Sequence, residues 1–258
     1  MRLTLDPKLS TKVFKSIEPG QFVHLKLNNE LLLRRPFSIY DTLSCNKIEI
    51  TYQVVGKGTE FMRRLNTGGK LDFFGPLGKG FIIAPNIEHA ILVGGGIGIA
   101  GLHLLLKQLV YNMCNDITVF IGARTKNRLY CLPEFGKLAK NILITTEDGS
   151  VGTKGLVTSL LNDYICKKRI ASSTKDLKEW ASKTTLYSCG PVPMIKSVCE
   201  IAIHHRLPTQ VSLEARMGCG IGLCRGCVCK SGKNPDSWRW VTVCNEGPVF
   251  DASQIHEY

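Results

Sequence analysis

Four cysteines near the C-terminus, Cys219, Cys224, Cys227 and Cys244, stand at the spacing C-x4-C-x2-C-x16-C. Three thiolates in one short loop with a remote fourth is a spacing that holds a [2Fe–2S] cluster, a centre that moves electrons singly. Gly218, Gly220, Gly222 and Gly226 allow that loop to wrap tightly and to aim backbone N–H groups at sulfur. A structural zinc knot also uses four thiolates, but it usually pairs them as two short C-x2–4-C arms. Cys229 lies two residues beyond Cys227 in an expected strand, on the same face, so geometry alone leaves it open as a ligand. The x2 spacing selects Cys227.

Two glycine-bearing turns add nucleotide chemistry. Gly94-Gly-Gly-Ile-Gly follows the apolar run Ala90-Ile-Leu-Val and precedes a helical pattern. Glycines there let the backbone approach a pyrophosphate, and a helix N-terminus offers unpaired N–H groups. A tight strand-to-helix turn would carry the same glycines. Tyr187-Ser-Cys-Gly-Pro-Val-Pro-Met ends a later strand, and ligands of parallel sheets bind beyond the carboxyl ends of strands. Cys189 either packs as a small buried hydrophobe or sits beside a reacting nicotinamide; its order and its Cys-Gly-Pro turn favour the second. Further upstream, Arg34-Arg-Pro-Phe-Ser-Ile, Thr51-Tyr-Gln-Val and Gly56-Lys-Gly-Thr supply a phosphate-binding cation, a stacking ring and a hydroxyl.

The elements that must position these groups change character along the chain. Residues 1–86 alternate as short antiparallel strands (Arg2–Leu5, Gln21–Leu27, Phe37–Asp41, Lys47–Val55, Lys70–Phe74), with turn signals at Glu18-Pro-Gly, Asn28-Asn29, Asn66-Thr-Gly-Gly and Gly75-Pro. A small barrel is expected. Residues 87–210 alternate strand and helix, with strands at Ala90–Val93, Ile117–Gly122, Ile142–Thr145 and Thr185–Ser188, which implies a parallel sheet with helices on its faces. Residues 166–183 read as a charged surface segment, helical in part. Residues 211–258 carry the cysteine loop. The fold class is therefore β plus α/β: an antiparallel barrel, a parallel-sheet nucleotide domain and a small cluster-binding segment.

The chain has 44% hydrophobic and 21% charged residues, within the range of ordinary globular proteins. Eleven cysteines behind a polar N-terminus that has no signal-peptide pattern argue for metal ligation in a reducing, cytoplasmic setting. The most apolar stretch, Ala90–Leu106, is broken by five glycines and too short for a membrane span. The net charge of +12 is spread along the chain, without the basic cluster and interleaved aromatics of nucleic-acid binding. A solvated surface accounts for most of it, with an acidic protein partner as a second option.

The order R-P-x-S, G-x-G-T, G-G-G-x-G and C-G-P-x-x-M resembles the ferredoxin reductase superfamily, which binds FAD on the barrel and a nicotinamide nucleotide on the sheet. Glu214-Ala-Arg-Met-Gly-Cys-Gly-Ile-Gly-Leu-Cys-Arg-Gly-Cys and Cys244-Asn-Glu-Gly-Pro-Val-Phe narrow the resemblance. Over essentially its full length the chain is similar to the electron-transfer subunits of type B, NAD-linked dihydroorotate dehydrogenases.

That resemblance implies roles for matching positions. Arg35, Pro36, Phe37 and Ser38, with Thr51, Tyr52 and Gln53, would bind FAD, and Gly58 and Thr59 its pyrophosphate. Gly94, Gly95, Gly96 and Gly98, with Cys189, Gly190 and Pro191, would frame NAD, Cys189 acting catalytically beside the nicotinamide. Arg124, at the end of a strand, would contact an NADP 2′-phosphate or lie on the surface near adenosine; the resemblance favours NAD. Cys219, Cys224, Cys227 and Cys244 would ligate the cluster. A separate FMN-containing catalytic subunit would oxidise dihydroorotate to orotate in pyrimidine synthesis, docking near Arg225, with two copies of each subunit in a heterotetramer. Electrons would pass through the cluster and FAD to NAD+.

Two positions depart from the family pattern. Gln53 replaces a basic residue common there, which weakens one flavin contact. The N-terminus starts about one strand late, which leaves the barrel a strand short or the true start upstream. The main rival is an NAD(P)H-dependent reductase subunit of another complex: ferredoxin:NADP oxidoreductase, sulfide dehydrogenase or a hydrogenase-linked diaphorase. A complete ligand set beginning at Cys219 favours the dihydroorotate system, since some relatives carry Asp there. A zinc-stapled, non-enzymatic binding module is the remote alternative, opposed by the flavin and phosphate motifs.

Overall fold

Alternating apolar residues in the first third of the chain fold, among the described residues, into six strands: β1 (Arg2–Leu5), β2 (Phe22–Lys26), β3 (Arg35–Ser38), β4 (Asp41–Leu43), β5 (Lys47–Thr51) and β6 (Asp72–Leu77). The computed structural model describes residues 1–7, 10–27, 32–114, 116–171, 174–232 and 237–257. The strands form two three-stranded antiparallel sheets, β1-β5-β4 and β3-β2-β6, around a shared core that includes Leu5, Val23, Leu25, Ile39, Ile48 and Ile50. The expected single strand Phe37–Asp41 is split. The Ile39 N–H donates to Gln21 O at 2.9 Å in one sheet, and the Tyr40 N–H donates to Glu49 O at 2.8 Å in the other, so the chain changes sheets between them. Two short helices, α1 (Thr11–Lys15) and α2 (Lys57–Arg63), were not anticipated. The Asn28-Asn29 turn signal lies outside the described residues.

Among the described residues ten further strands follow: β7 (His89–Gly95), β8 (Asp116–Ala123), β9 (Asn141–Thr146), β10 (Thr153–Lys154), β11 (Thr184–Cys189), β12 (Thr209–Ser212), β13 (Val228–Ser231), β14 (Arg239–Thr242), β15 (Val249–Asp251) and β16 (Ile255–Glu257). Seven of them build one sheet in the order β10-β9-β8-β7-β11-β12-β15, parallel throughout except for β15. Strand β7 is central and covered on both faces, which explains its unbroken apolar run. The faces alternate residue by residue. Ala90 and Leu92 pack with Leu105, Leu109 and Phe135 of α3 (His103–Tyr111) and α4 (Leu132–Leu138). Ile91 and Val93 pack with Leu161, Ile165 and Val198 of α5 (Val157–Ala171) and α7 (Val192–His205). Each such burial is worth roughly 1.5–3 kcal/mol, so two-sided packing dominates the hold on the sheet. The charged segment 166–183 continues α5 and adds α6 (Thr174–Ser182).

The cysteine segment forms a third small sheet, β14-β13-β16. The expected boundary at residue 210 falls inside β12, and β15, from beyond the cysteines, returns to pair with β12 antiparallel. The nucleotide sheet thus takes strands from both sides of the cluster loop. Among the described residues no helix is long and apolar enough to cross a membrane.

Candidate functional site

The parallel register pairs Cys189 with Gly94, so the carboxyl ends of β7 and β11 lie side by side. Strand β7 runs through Gly95, a single 3-10 stretch covers Gly96–Leu102, and helix α3 begins only at His103. Gly94 and Gly95 are therefore strand residues rather than loop residues. The two turns touch through backbone. A Cβ on Gly98 would stand 2.6 Å from Gly190 Cα and 2.7 Å from Cys189 O, and one on Gly95 would stand 2.8 Å from Pro191 Cδ.

A cleft of about 320 Å³ opens where this edge meets the antiparallel sheets and the approach to the cysteine loop. Nine of the anticipated residues line it: Pro36, Phe37, Ser38, Thr51, Tyr52, Gln53, Thr59, Gly98 and Cys189. Phe37 and Tyr52 meet edge to face at 6.1 Å. Ser38 Oγ and Cys189 Sγ converge on Gly101, at 3.7 and 3.1 Å from where its Cβ would be. Thr51 lines the cleft, and its Oγ1 is buried with no hydrogen-bond partner among the described residues. Thr59 closes the first turn of α2, its hydroxyl accepting from the Val55 N–H at 2.9 Å.

Other anticipated residues lie elsewhere. Arg35 folds back, its guanidinium donating to Leu33 O at 2.6 Å and Arg34 O at 3.2 Å. Gly58 sits within α2, and Arg124 is exposed just past β8, while Gly94, Gly95, Gly96, Gly190 and Pro191 are not among the residues that line the cleft, Pro191 being exposed. Phe22, Gly101, Glu214, Met217 and Pro248 line the cleft and were not anticipated as site residues. The Glu214-x-x-Met motif was a signal for two of them.

Burial sets the protonation states. Cys189 is 4% exposed and its thiol is pushed up to about 12, so it is a neutral group against the cleft and no nucleophile. Burial also raises the Glu214 carboxyl above the usual carboxylate range and pushes Cys199 up to about 11. Raised thiol values carry a sign: the folded form keeps its proton while the unfolded thiol loses it above pH 9. Stability is expected to be complete below that pH and to fall above it, by roughly 1.4 kcal/mol per pH unit for Cys189. Urea midpoints at pH 8 and 10.5 check this. The gap should narrow in Cys189→Ala/Cys199→Ala, and an unchanged gap would refute the assignment.

The cysteine loop points backbone N–H groups at sulfur. Cys219 Sγ accepts from Cys224 N at 3.4 Å and Ile221 N at 3.5 Å, which pulls its thiol down to about 6. Cys244 Sγ accepts from Gly222 N at 3.1 Å, although burial pushes that thiol up to about 12. Coordination to a metal deprotonates such a thiol outright. Side-chain contacts join Cys219 to Cys224 and Cys227 to Cys244, two pairs of thiols. Among the described residues no three His, Cys, Asp or Glu side chains converge as for a single metal ion. Cys229 is buried in the apolar cluster that includes Met217, Val241 and Phe250. The donor set fits a thiolate-held binuclear centre, and the cleft fits a flavin.

Comparison with known proteins agrees with this geometry. Residues 214–256 match the iron–sulfur cluster binding domain of dihydroorotate dehydrogenase B, and residues 92–200 match the oxidoreductase NAD-binding domain. The chain is 38% identical over 242 residues to the dihydroorotate dehydrogenase B (NAD(+)) electron transfer subunit of Fusobacterium nucleatum, covering 92% of this chain and 86% of that one. It is 39% identical over 241 residues to the Enterococcus faecalis subunit of the same name, with the same coverage. Among solved structures, the NADH-dependent reduced ferredoxin-NADP oxidoreductase superposes with a TM-score of 0.79 at 30% identity, covering 99% of this chain and 84% of that chain.

Proposed function

Because this chain belongs to the family of dihydroorotate dehydrogenase B electron transfer subunits, we propose that its cleft seats FAD, its β7–β11 edge receives NAD+, and Cys219, Cys224, Cys227 and Cys244 hold a [2Fe–2S] cluster. The subunit transfers electrons from dihydroorotate oxidation to NAD+. When bound, the flavin exchanges hydride with nicotinamide and single electrons with the cluster. The remaining work belongs to the protein.

Pro36, Phe37 and Tyr52 give the flavin an apolar, ring-lined wall, with Ser38, Thr51, Gln53 and Thr59 as polar contacts. Gly98 and Gly190 let two backbone turns close together where the nucleotide binds. Cys189 presents a neutral thiol beside Gly101 and excludes water from the reacting face, and Glu214 keeps a carboxyl in the same cleft whose proton is held more tightly than usual. Glu214 and Met217 tie the cleft directly to the cysteine loop, since Cys219 follows Met217 by two residues. The division into 1–86, 87–210 and 211–258 follows these three tasks, with β15 shared. The electron donor is a catalytic partner subunit carrying FMN, assembled two and two with this one and contacting it near Arg225.

The observation that carries the reading is the shared wall. One cleft is lined by the antiparallel sheets, by the carboxyl edge of the parallel sheet and by the lead-in to the cysteine loop. The test is anaerobic NAD+ reduction by dihydroorotate when this protein is added to a purified FMN-containing catalytic subunit. Strong stimulation is expected. No stimulation, with NADH-dependent dye reduction intact, would assign the chain to another complex. The full-length likeness to the NADH-dependent ferredoxin-NADP oxidoreductase makes that the second reading.

A further inference from the structure

His24 is fully buried, and the polar group its ring addresses among the described residues is the backbone of Cys219, at a geometry short of a well-formed hydrogen bond. An imidazole carries at least one N–H and, when neutral, one lone pair, and leaving such a group unpaired in the interior costs about 1–3 kcal/mol. A side chain that served only to fill space in this core would be apolar, like its neighbours in the strand. The chain gives His24 only that loose contact, and it falls on the first residue of the cysteine loop.

Its position says where that contact belongs. Phe22 and His24 stand two apart in β2 and pair with β3 in unbroken register, so they share a face; the register shift between them falls in the pairing with β6. Phe22 lines the flavin cleft, and its ring meets that of His24 edge to face at 6.4 Å. On its other side His24 reaches the cysteine loop: a Cβ on Gly220 would stand 2.6 Å from His24 Nδ1 and 3.2 Å from Cε1. Gly220 itself has φ +77°, a left-handed conformation that favours glycine, so the turn after Cys219 is shaped to pass against this ring. The strand is fixed at this point, since Arg34 donates to His24 O at 3.4 Å and is anchored by Asp72 at 2.6 Å. One face of one strand touches the flavin cleft with its first residue and the cysteine loop with its third.

We propose that His24 is a positioning residue for the [2Fe–2S] centre: its ring N–H faces the Cys219–Gly220 turn, tightens its contact with the Cys219 backbone when the cluster is bound, and locks the cluster loop to the flavin barrel. The inference rests on the reading of the four cysteines as cluster ligands. A fixed N–H beside a cluster favours the added negative charge of its reduced form, so the same contact makes the cluster easier to reduce.

The experiment is an EPR-monitored redox titration of the full chain loaded with cluster and FAD, with iron and flavin contents measured on each sample. His24→Leu, with full iron and flavin, is expected to be about tenfold harder to reduce, which for one electron is about 59 mV. His24→Gln, which keeps an N–H without a titrating ring, is expected to recover most of that difference. An unchanged potential in the fully loaded leucine variant would overturn the proposal, as would a glutamine variant shifted as far as the leucine one. Should leucine prevent loading, glutamine decides: a loaded variant near the original potential supports the N–H, and failure to load assigns His24 to packing alone. Absence of iron and of an EPR signal in the unaltered protein would instead refute the cluster reading itself.

Discussion

In the complex assembled with its catalytic partner, Cys224→Ser lowers dihydroorotate-dependent NAD+ reduction by more than about 100-fold, beyond the 10–100-fold that outer-shell changes cost at metal sites. NADH-dependent dye reduction by the same sample is expected to stay within about twofold, since it needs only the flavin and nucleotide parts. The separation follows from position. Cys224 is exposed at the middle of the cysteine loop, whereas the cleft is lined by residues no nearer in sequence than Met217. Serine offers a harder oxygen donor in place of a soft thiolate. Loss of a metal ligand can also cost stability, so circular dichroism and flavin absorption of the same sample are compared with the unaltered protein to show that the fold persists. Iron content and both activities decide the matter. If the two rates fall together, the loop supports the flavin cleft rather than carrying electrons. If dihydroorotate still reduces NAD+ in a protein without iron, electrons bypass the cluster.

Gly98→Ala has the opposite profile. Its methyl group would meet Gly190 Cα at 2.6 Å, Cys189 O at 2.7 Å and Gly190 N at 2.8 Å, all of them backbone atoms that cannot rotate away. The two turns must part, at a cost of about 1–3 kcal/mol for overpacking. Because this contact shapes the edge proposed to take the nucleotide, kcat/KM for NADH is expected to fall by at least about tenfold, equivalent to about 1.4 kcal/mol of transition-state binding. Flavin and cluster absorption should remain. Gly136→Ala in α4 is the control, since a Cβ there meets nothing within 4 Å, and helix propensity favours alanine by about 0.5–1 kcal/mol. A Gly98→Ala protein with unaltered NADH kinetics would remove the paired turns from the nucleotide site.

Local chemistry was legible in the sequence wherever a few neighbouring residues decide it. The cysteine spacing, the Gly94 and Cys189 turns and the Pro36–Ser38 strand all came from short windows, and the structure brings most of them to one cleft. Contacts set by the tertiary fold were not legible. The sheet change at Ile39–Tyr40 depends on which distant strand accepts each N–H, Gln21 or Glu49. Arg35 reads as a phosphate ligand by type, yet its guanidinium is taken by the carbonyls of Leu33 and Arg34. Phe22 and His24 look like any alternating strand residues until the cysteine loop folds onto them. Gly101 matters only because Ser38 and Cys189 meet above it from two other elements.

Strands β12 and β15 pair Ser212 with Val249, so the cysteine-bearing lobe both leaves and re-enters the molecule at one rung of the ladder. A domain appended through a single linker can swing to carry its electrons across a gap. A lobe clasped at both ends has no such linker, and large hinge motions need residues free to absorb the change in backbone angles. The cysteine loop is thus held to the cleft through two paired strands rather than through one linker. A protein that delivers electrons to the loop would meet its exposed side, where Leu223 and Cys224 stand in solvent.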